Sequence, residues 1–324
     1  MYTQPELKEL IDRALVNLSI DDEAEKLTAP VKYFLSIGGK RVRPVIALMT
    51  CNLFIDKVDD AVLPAAGIEI FHNFTLVHDD IMDNASVRRN LPTVHTKWNT
   101  NQAILSGDVM AFIANDCILQ TPSGVLLKVF NTFNKAAIQV CIGQQLDMDF
   151  EKASIVSNDE YLRMIELKTA VLLAASSKIG AIIGNAGDRD SDLLYEFGKN
   201  LGLAFQIQDD LLDVYGDVKV FGKTSGGDIV TNKKTYLLVK ALEIASGSTL
   251  IKLQANLLAK EFDPEQKIKA VIEIYDQLKI RNYTENLAEE YISAALVNLE
   301  KVGVDKERKR ELYQVAVSLS GRNV

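Results

Sequence analysis

Six aspartates in two short clusters are the residues of this chain best placed to do chemistry. HDDIMD holds Asp79, Asp80 and Asp83, and QDDLLD repeats the spacing with Asp209, Asp210 and Asp213. On a helix, positions i and i+4 share a face and i+1 lies within about a turn of both, so each DDxxD turns its carboxylates toward one patch. Carboxylates so placed repel one another, more strongly in a cleft than in water. One copy alone reads as a solvated helix face. Two copies, each set in an apolar context (FTLVHDDIM and LAFQIQDDLLDVY), call for positive partners. Hard oxygen donors without a histidine or thiolate cluster favour Mg²⁺, which takes one or two protein carboxylates and completes its octahedron with waters and phosphate oxygens. The chemistry implied is the capture of a phosphorylated ligand through a divalent cation.

Basic residues gather where a phosphate reader would use them. GGKRVRP places Lys40, Arg41 and Arg43 between a Gly-Gly pair and the apolar run VIALM, a loop entering a helix. Helix starts bind anions through free N–H groups, and the guanidinium fork adds bidentate contacts. Arg88 and Arg89 follow Asp83 past the end of its helix. Lys168–Thr169 interrupts a strongly apolar helix, and Gln206 sits a turn before Asp209 and Asp210. FGKTSGGDIVTNKKT offers Lys223 and Lys233 on either side of Asp228, and His72 lies two turns before Asp79. Each has a plain alternative: surface charge, a snorkelling lysine, a core histidine. Together they make two acidic platforms with separate cationic sets, which suits two polyphosphate substrates.

The elements that carry these residues read as helices throughout. Of seven prolines, none falls between Pro122 and Pro264, and apolar residues recur there at three- and four-residue spacing. No βαβ pattern and no Asn-Gly or Asp-Gly hairpin signal occurs. The breaks are short (36–40, 88–93, 120–124, 185–192 and 216–228), and no Gly/Ser/Pro linker separates parts of different composition. The expectation is one all-α domain over residues 1–324, a single-domain helical bundle. With 36 Lys+Arg against 44 Asp+Glu the net charge is −8, which argues against a nucleic-acid or anionic-membrane binder. The start MYTQPELKEL has no signal-peptide pattern, and no apolar run reaches the ~20 residues of a spanning helix. Cys51, Cys117 and Cys141 each lie in an apolar stretch, which reads as buried reduced thiols in a cytoplasmic protein.

In order and spacing the chain resembles the trans-isoprenyl diphosphate synthases, from about Lys32 to Thr235. The resemblance is carried by GGKRVRP, HNFTLVHDDIMD followed by RR, AILSGD, GQQLDMDF, Lys168–Thr169, FQIQDDLLD and GKTSGGDIVTNKKT. It implies an isoprenoid-synthase fold, a helical bundle around a deep central cavity, with a homodimer, and Mg²⁺ as cofactor, three ions with substrate bound. The reaction implied joins isopentenyl diphosphate to an allylic diphosphate. Asp79, Asp80, Asp83, Asp209 and Asp210 would hold metal, with Asp213 in support, and Asp79 and Asp209 would be central to catalysis. Arg88, Lys168, Lys223 and Lys233 would contact the allylic diphosphate. Lys40, Arg43, His72 and Arg89 would hold isopentenyl diphosphate. Thr169 and Gln206 would line the reacting centre, shielded by Phe205. Phe74 and Thr75, one turn before Asp79, would form the floor under the growing chain, which implies a short product, geranylgeranyl ahead of farnesyl diphosphate. The family's RRG reads RRN here; Asn90 tolerates a positive φ, so no loss is expected.

Rival readings are a class I terpene cyclase, whose second metal motif mixes Asn, Ser or Thr with Glu where DDLLD stands here, and a non-catalytic partner subunit, which could lose acids that this chain keeps. A phosphohydrolase built on His78–Asp79 is poorly served by three histidines, His72, His78 and His95.

Overall fold

The computed structural model describes residues 1–20, 24–216 and 226–320, with side chains through residue 318. The described residues are overwhelmingly helical. Along the chain run α1 (Gln4–Val16), α2 (Glu25–Ser36), α3 (Val42–Asn52), α4 (Asp59–Met82), α5 (Val94–Lys97), α6 (Thr100–Ile118), α7 (Leu126–Lys152) and α8 (Asn158–Ile165). A π-helical turn, Glu166–Ala170, leads into α9 (Val171–Ile183) and α10 (Asp188–Tyr215). Then come α11 (Gly227–Thr231), α12 (Tyr236–Ile244), α13 (Gly247–Leu258), α14 (Pro264–Gln277), α15 (Ile280–Glu300) and α16 (Lys306–Ser320). Among the described residues β-structure is confined to one hairpin, β1 (Val87–Arg88) and β2 (Leu91–Pro92), paired antiparallel. The all-α expectation holds.

Local signals set many of the helix ends. Ser157 and Glu160 form a reciprocal capping box at the start of α8. Asp263 accepts from the Gln266 amide ahead of Pro264, which opens α14 with its φ already helical.

Two compact units divide the chain. The first takes Met1–Ala137, Ala175–Tyr195 and Val302–Leu312. Its α3 is buried from Pro44 to Asn52, apolar nearly all round, as befits a helix covered on every side. Two glycines allow close crossings there. A methyl group on Gly180 would sit 1.8 Å from the Ala47 carbonyl oxygen, and one on Gly67 of α4 would sit 2.8 Å from that of Ala114 in α6.

The second unit takes Ile138–Ala174, Glu196–Lys301 and Tyr313–Val324. One of its cores joins Leu211 and Val214 to Leu237, Leu238, Val271 and Tyr275. Another gathers Tyr161, Met164, Ile165, Leu203, Ile207 and Tyr236. Each large aliphatic side chain so buried contributes about 1.5–3 kcal/mol. The thiols differ from expectation at one position: Cys51 and Cys117 are buried but Cys141 is exposed, because the apolar run around it lies on a helix whose outer face is itself partly apolar.

Candidate active site

Both aspartate clusters stand at the C-terminal ends of their helices. Asp79 and Asp80 close α4, with Asp83 as its C-cap, and Asp209, Asp210 and Asp213 lie toward the end of α10. The helix dipole is negative there, so acids are held against the local field and draw in cations. In the first unit Arg88 supplies a cation. Its Nε and Nη2 each lie 2.8 Å from Asp80 Oδ1, and Nη2 is 3.8 Å from Asp79 Oδ2. Asp80 is buried, and desolvation outweighs the arginine, raising its pKa above the ordinary value. Its second oxygen, Oδ2, is sealed from solvent without a hydrogen-bond partner.

Arg88 and Arg89 arrive on the hairpin. Arg89 (φ 51) and Asn90 (φ 64) fill its two central positions, both left-handed, the pattern of a two-residue primed turn. Asn90 therefore does the work of a glycine, as expected. Arg89 takes a conformation few non-glycine residues adopt and donates through Nη1 to the Gly38 carbonyl. A second left-handed arginine, Arg41 (φ 53), caps the start of α3. Lys40 is exposed beside it, and Arg43 lies 3.1 Å from His72 Nε2, which faces it from α4. Burial first, then Arg43, Arg89, Arg88 and Arg41, hold the His72 pKa well below its ordinary value, so the ring is neutral and accepts. Arg43 Nε is buried with no partner. Arg43 and Arg89 therefore both act on His72. Phe74 sits between Phe71 and His78, at ring distances of 5.4 and 4.8 Å, while the Thr75 hydroxyl donates to the His72 carbonyl.

In the second unit the Lys168–Thr169 interruption is the π turn itself, a feature that recurs at functional sites. Lys168 Nζ lies 2.6 Å from Asp147 of α7. The Thr169 hydroxyl donates to Gln206 Oε1 at 3.0 Å, and the Gln206 amide donates to Asp210 Oδ1 at 2.9 Å. The Tyr161 hydroxyl donates to the other oxygen, Oδ2. Burial is the largest influence on Asp210 and moves its pKa up to about 6. Asp213 Oδ2 accepts from the Asp228 amide, and Lys233 lies 3.9 Å from the Asp228 carboxylate. Burial lifts Asp228 to about 7. Lys223 lies outside the described residues.

Among the described residues no three His, Cys, Asp or Glu side chains form a ready-made metal cluster. The donor set still fits a magnesium ion. The candidates are all oxygens, and Asp80 Oδ2 is a buried acceptor lacking a donor, while Mg²⁺ needs only one or two protein carboxylates when phosphate oxygens share the ion.

The sequence matches the family description "Polyprenyl synthetase" over residues 24–275. The chain belongs to the polyprenyl synthetases. It is 38% identical to the geranylgeranyl diphosphate synthase of Sulfolobus acidocaldarius over 89% of this chain and 88% of that one. It is 35% identical to the geranylgeranyl diphosphate synthase of Methanosarcina mazei over 94% and 93%. A crystal structure of a geranylgeranyl pyrophosphate synthase superposes with a TM-score of 0.95 at 38% identity, covering 100% of both chains. This polyprenyl synthetase is a trans-prenyltransferase with the all-α isoprenoid-synthase fold.

Three polar partners in this polyprenyl synthetase are not among the residues its sequence singled out. Glu69 pairs with Arg41, Asp147 with Lys168, and Tyr161 with Asp210. Asp147 carried a signal, since it belongs to GQQLDMDF. Glu69 sits one turn before His72 and could have been flagged as an acid among apolar neighbours. Tyr161 reads as an ordinary core aromatic.

Proposed function

We propose that this enzyme condenses isopentenyl diphosphate with an allylic diphosphate and releases geranylgeranyl diphosphate and pyrophosphate, the short-chain farnesyl product being the alternative. One observation carries the reading: the first unit holds both a buried carboxylate oxygen without a donor, Asp80 Oδ2, and a buried guanidinium N–H without an acceptor, Arg43 Nε. Leaving buried polar groups unpaired is costly, and a cation and an anion are what these two would receive. Magnesium on the allylic diphosphate would supply the cation, and isopentenyl diphosphate the anion.

Asp79, Asp80, Asp83, Asp209 and Asp210 would hold magnesium, three ions with substrate bound, with Asp213 in support. When bound, the metal neutralises charge that develops on departing pyrophosphate. Arg88, Lys168, Lys223 and Lys233 take the allylic diphosphate and stabilise the same charge. Lys40, Arg43, His72 and Arg89 hold isopentenyl diphosphate. The allylic carbon–oxygen bond breaks, the double bond of isopentenyl diphosphate attacks the allylic cation, and the proton then lost goes to pyrophosphate. Thr169 and Gln206 line the reacting centre with their polar ends mutually tied, which keeps them from quenching the cation, and Phe205 shields it. Phe74, fixed in an aromatic stack, limits the chain at a short product, in keeping with the names of the relatives.

The enzyme is further proposed to be a homodimer. Leu105, Phe112 and Leu119 recur at seven-residue spacing on and just past α6, and Phe112 is 71% exposed, a stripe that a second helix would cover. Among the described residues no helix is long and apolar enough to cross a membrane, and three free thiols fit the cytoplasm. The deciding experiment supplies Mg²⁺, isopentenyl diphosphate and each allylic diphosphate in turn, and follows pyrophosphate and lipid product. Turnover is expected, and Asp79→Ala or Asp209→Ala should abolish it while the helical circular-dichroism signal stays. Full activity in both variants would overturn the metal roles.

A further inference from the structure

Arg41 is the one arginine of GGKRVRP that points away from any substrate role. Its side chain is 4% exposed and every guanidinium nitrogen is spoken for. Nη1 donates to Glu69 Oε1 at 2.9 Å, Nη2 to the Leu35 carbonyl at 3.1 Å, and Nε to Asp12 Oδ1 at 3.1 Å. Glu69 is equally buried and also meets the Asn73 amide at 3.4 Å. The Arg41 backbone is as unusual as its side chain. At φ 53 and ψ 33 it occupies the left-handed region, where glycine would sit without strain. An arginine persists there only because its surroundings hold it. A glycine would keep the turn but lose the three bonds.

The register of the pairing matters for function. On α4, Glu69 and His72 are three residues apart and share a face. Arg41, the N-cap of α3, and Arg43 in its first turn are two apart, and they meet Glu69 and His72 respectively. Fixing Arg41 to Glu69 therefore fixes where Arg43 meets His72, and it sets Lys40 on the solvent side of the turn. The same loop is tied at its other end, where the Gly38 carbonyl receives Arg89 and a methyl group on Gly39 would lie 3.0 Å from Arg89 Nη1, so that the guanidinium would have to give way. Several cations crowd this region, and Glu69 is the buried acid whose attraction reaches Arg43 and Arg89 as well as Arg41.

We propose that Arg41 and Glu69 are positioning residues for the isopentenyl diphosphate pocket: their buried ion pair locks the left-handed turn that places Lys40, Arg43 and Arg89 around one diphosphate. This rests on the substrate assignment above. It separates the two substrates, because nothing in the pair touches the groups assigned to the allylic diphosphate.

The test reads binding and turnover in Glu69→Gln, Arg41→Gln, Arg41→Lys and Asp12→Asn. Isopentenyl diphosphate affinity is measured by calorimetry, and KM for each substrate is measured separately. Glu69→Gln and Arg41→Gln are expected to weaken isopentenyl diphosphate on the order of 10- to 100-fold while KM for the allylic substrate stays at its wild-type value. Arg41→Lys keeps the charge without the fork and should fall between. If the two buried replacements fail to fold, Asp12→Asn, which removes only the half-exposed partner, should still give a smaller shift confined to the same substrate. Folded variants in which both KM values rise together, or neither changes, overturn the positioning role and leave the prenyltransferase reading intact. A wild-type protein that binds no isopentenyl diphosphate by calorimetry overturns both.

Discussion

Gly143 of α7 passes so close to Lys168 that a methyl group at position 143 would lie 2.2 Å from the Lys168 backbone nitrogen. On another side of the π turn, Gly202 of α10 would bring a methyl group to 2.6 Å from the Ala170 Cα. In both cases the obstacle is backbone, which cannot rotate aside as a side chain could. The turn carrying Lys168 and Thr169 is therefore gripped between two glycines. Gly143→Ala should cost about 1–3 kcal/mol by overpacking. By shifting the turn it should also lower kcat on the order of 100-fold. A thermal melt and a steady-state assay check the two effects; a variant with wild-type melting and turnover would show that the close approach is unimportant.

Phe74 is the side chain expected to cap the product. Replacing it by alanine opens the space now filled between Phe71 and His78. Phe74→Ala should extend the product by at least one isoprene unit, seen by chromatography of the dephosphorylated lipid. An unchanged chain length rejects this role.

His72 sets a pH dependence whose sign follows from its surroundings. Burial and neighbouring arginines push its folded pKa well down, whereas an unfolded histidine titrates near about 6.5. Below that value the unfolded chain takes up a proton that the folded protein refuses, so stability falls as pH drops. His72→Gln removes this contribution. Urea unfolding from about pH 7.5 to 5 should show a decline in wild type that is shallower in the variant. Parallel curves would mean that the imidazole titrates normally in the fold.

Tyr161→Phe tests the partner of Asp210. The ring packing among Met164, Ile165 and Tyr236 is kept, but a buried carboxylate loses a donor. A loss of about 1–3 kcal/mol in chemical denaturation is expected. A change within experimental error would indicate that Asp210 finds another donor on relaxation.

Much of the site could be read from local spacing. Asp79, Asp80 and Asp83 share a patch because the helix repeat puts them there, and the prolines and glycines mark where helices stop. Asn90 announced its positive φ because asparagine is among the few side chains that accept it. Arg41 and Arg89 gave no such notice, since arginine does not favour that region; bonds to Glu69, Leu35 and Gly38 hold them in it. The π turn was visible only as an oddity, a Lys-Thr pair in an apolar run, because a single extra residue in a helical turn leaves the apolar periodicity nearly intact.

By itself, the sequence determined that the chain is helical, that two aspartate clusters and several cations are its reactive endowment, and that these fit a metal-dependent diphosphate chemistry. Those properties follow from residue type and short-range periodicity, which are the same in any fold. Which acid neutralises which base was settled only in three dimensions. Glu69 against Arg41, Asp147 against Lys168 and Tyr161 against Asp210 are pairs whose members lie far apart along the chain, and no local pattern encodes them. Burial was settled there too, and it is burial that moves the pKa of Asp210 up and that of His72 down, because the cost of a charge depends on the solvent it has lost.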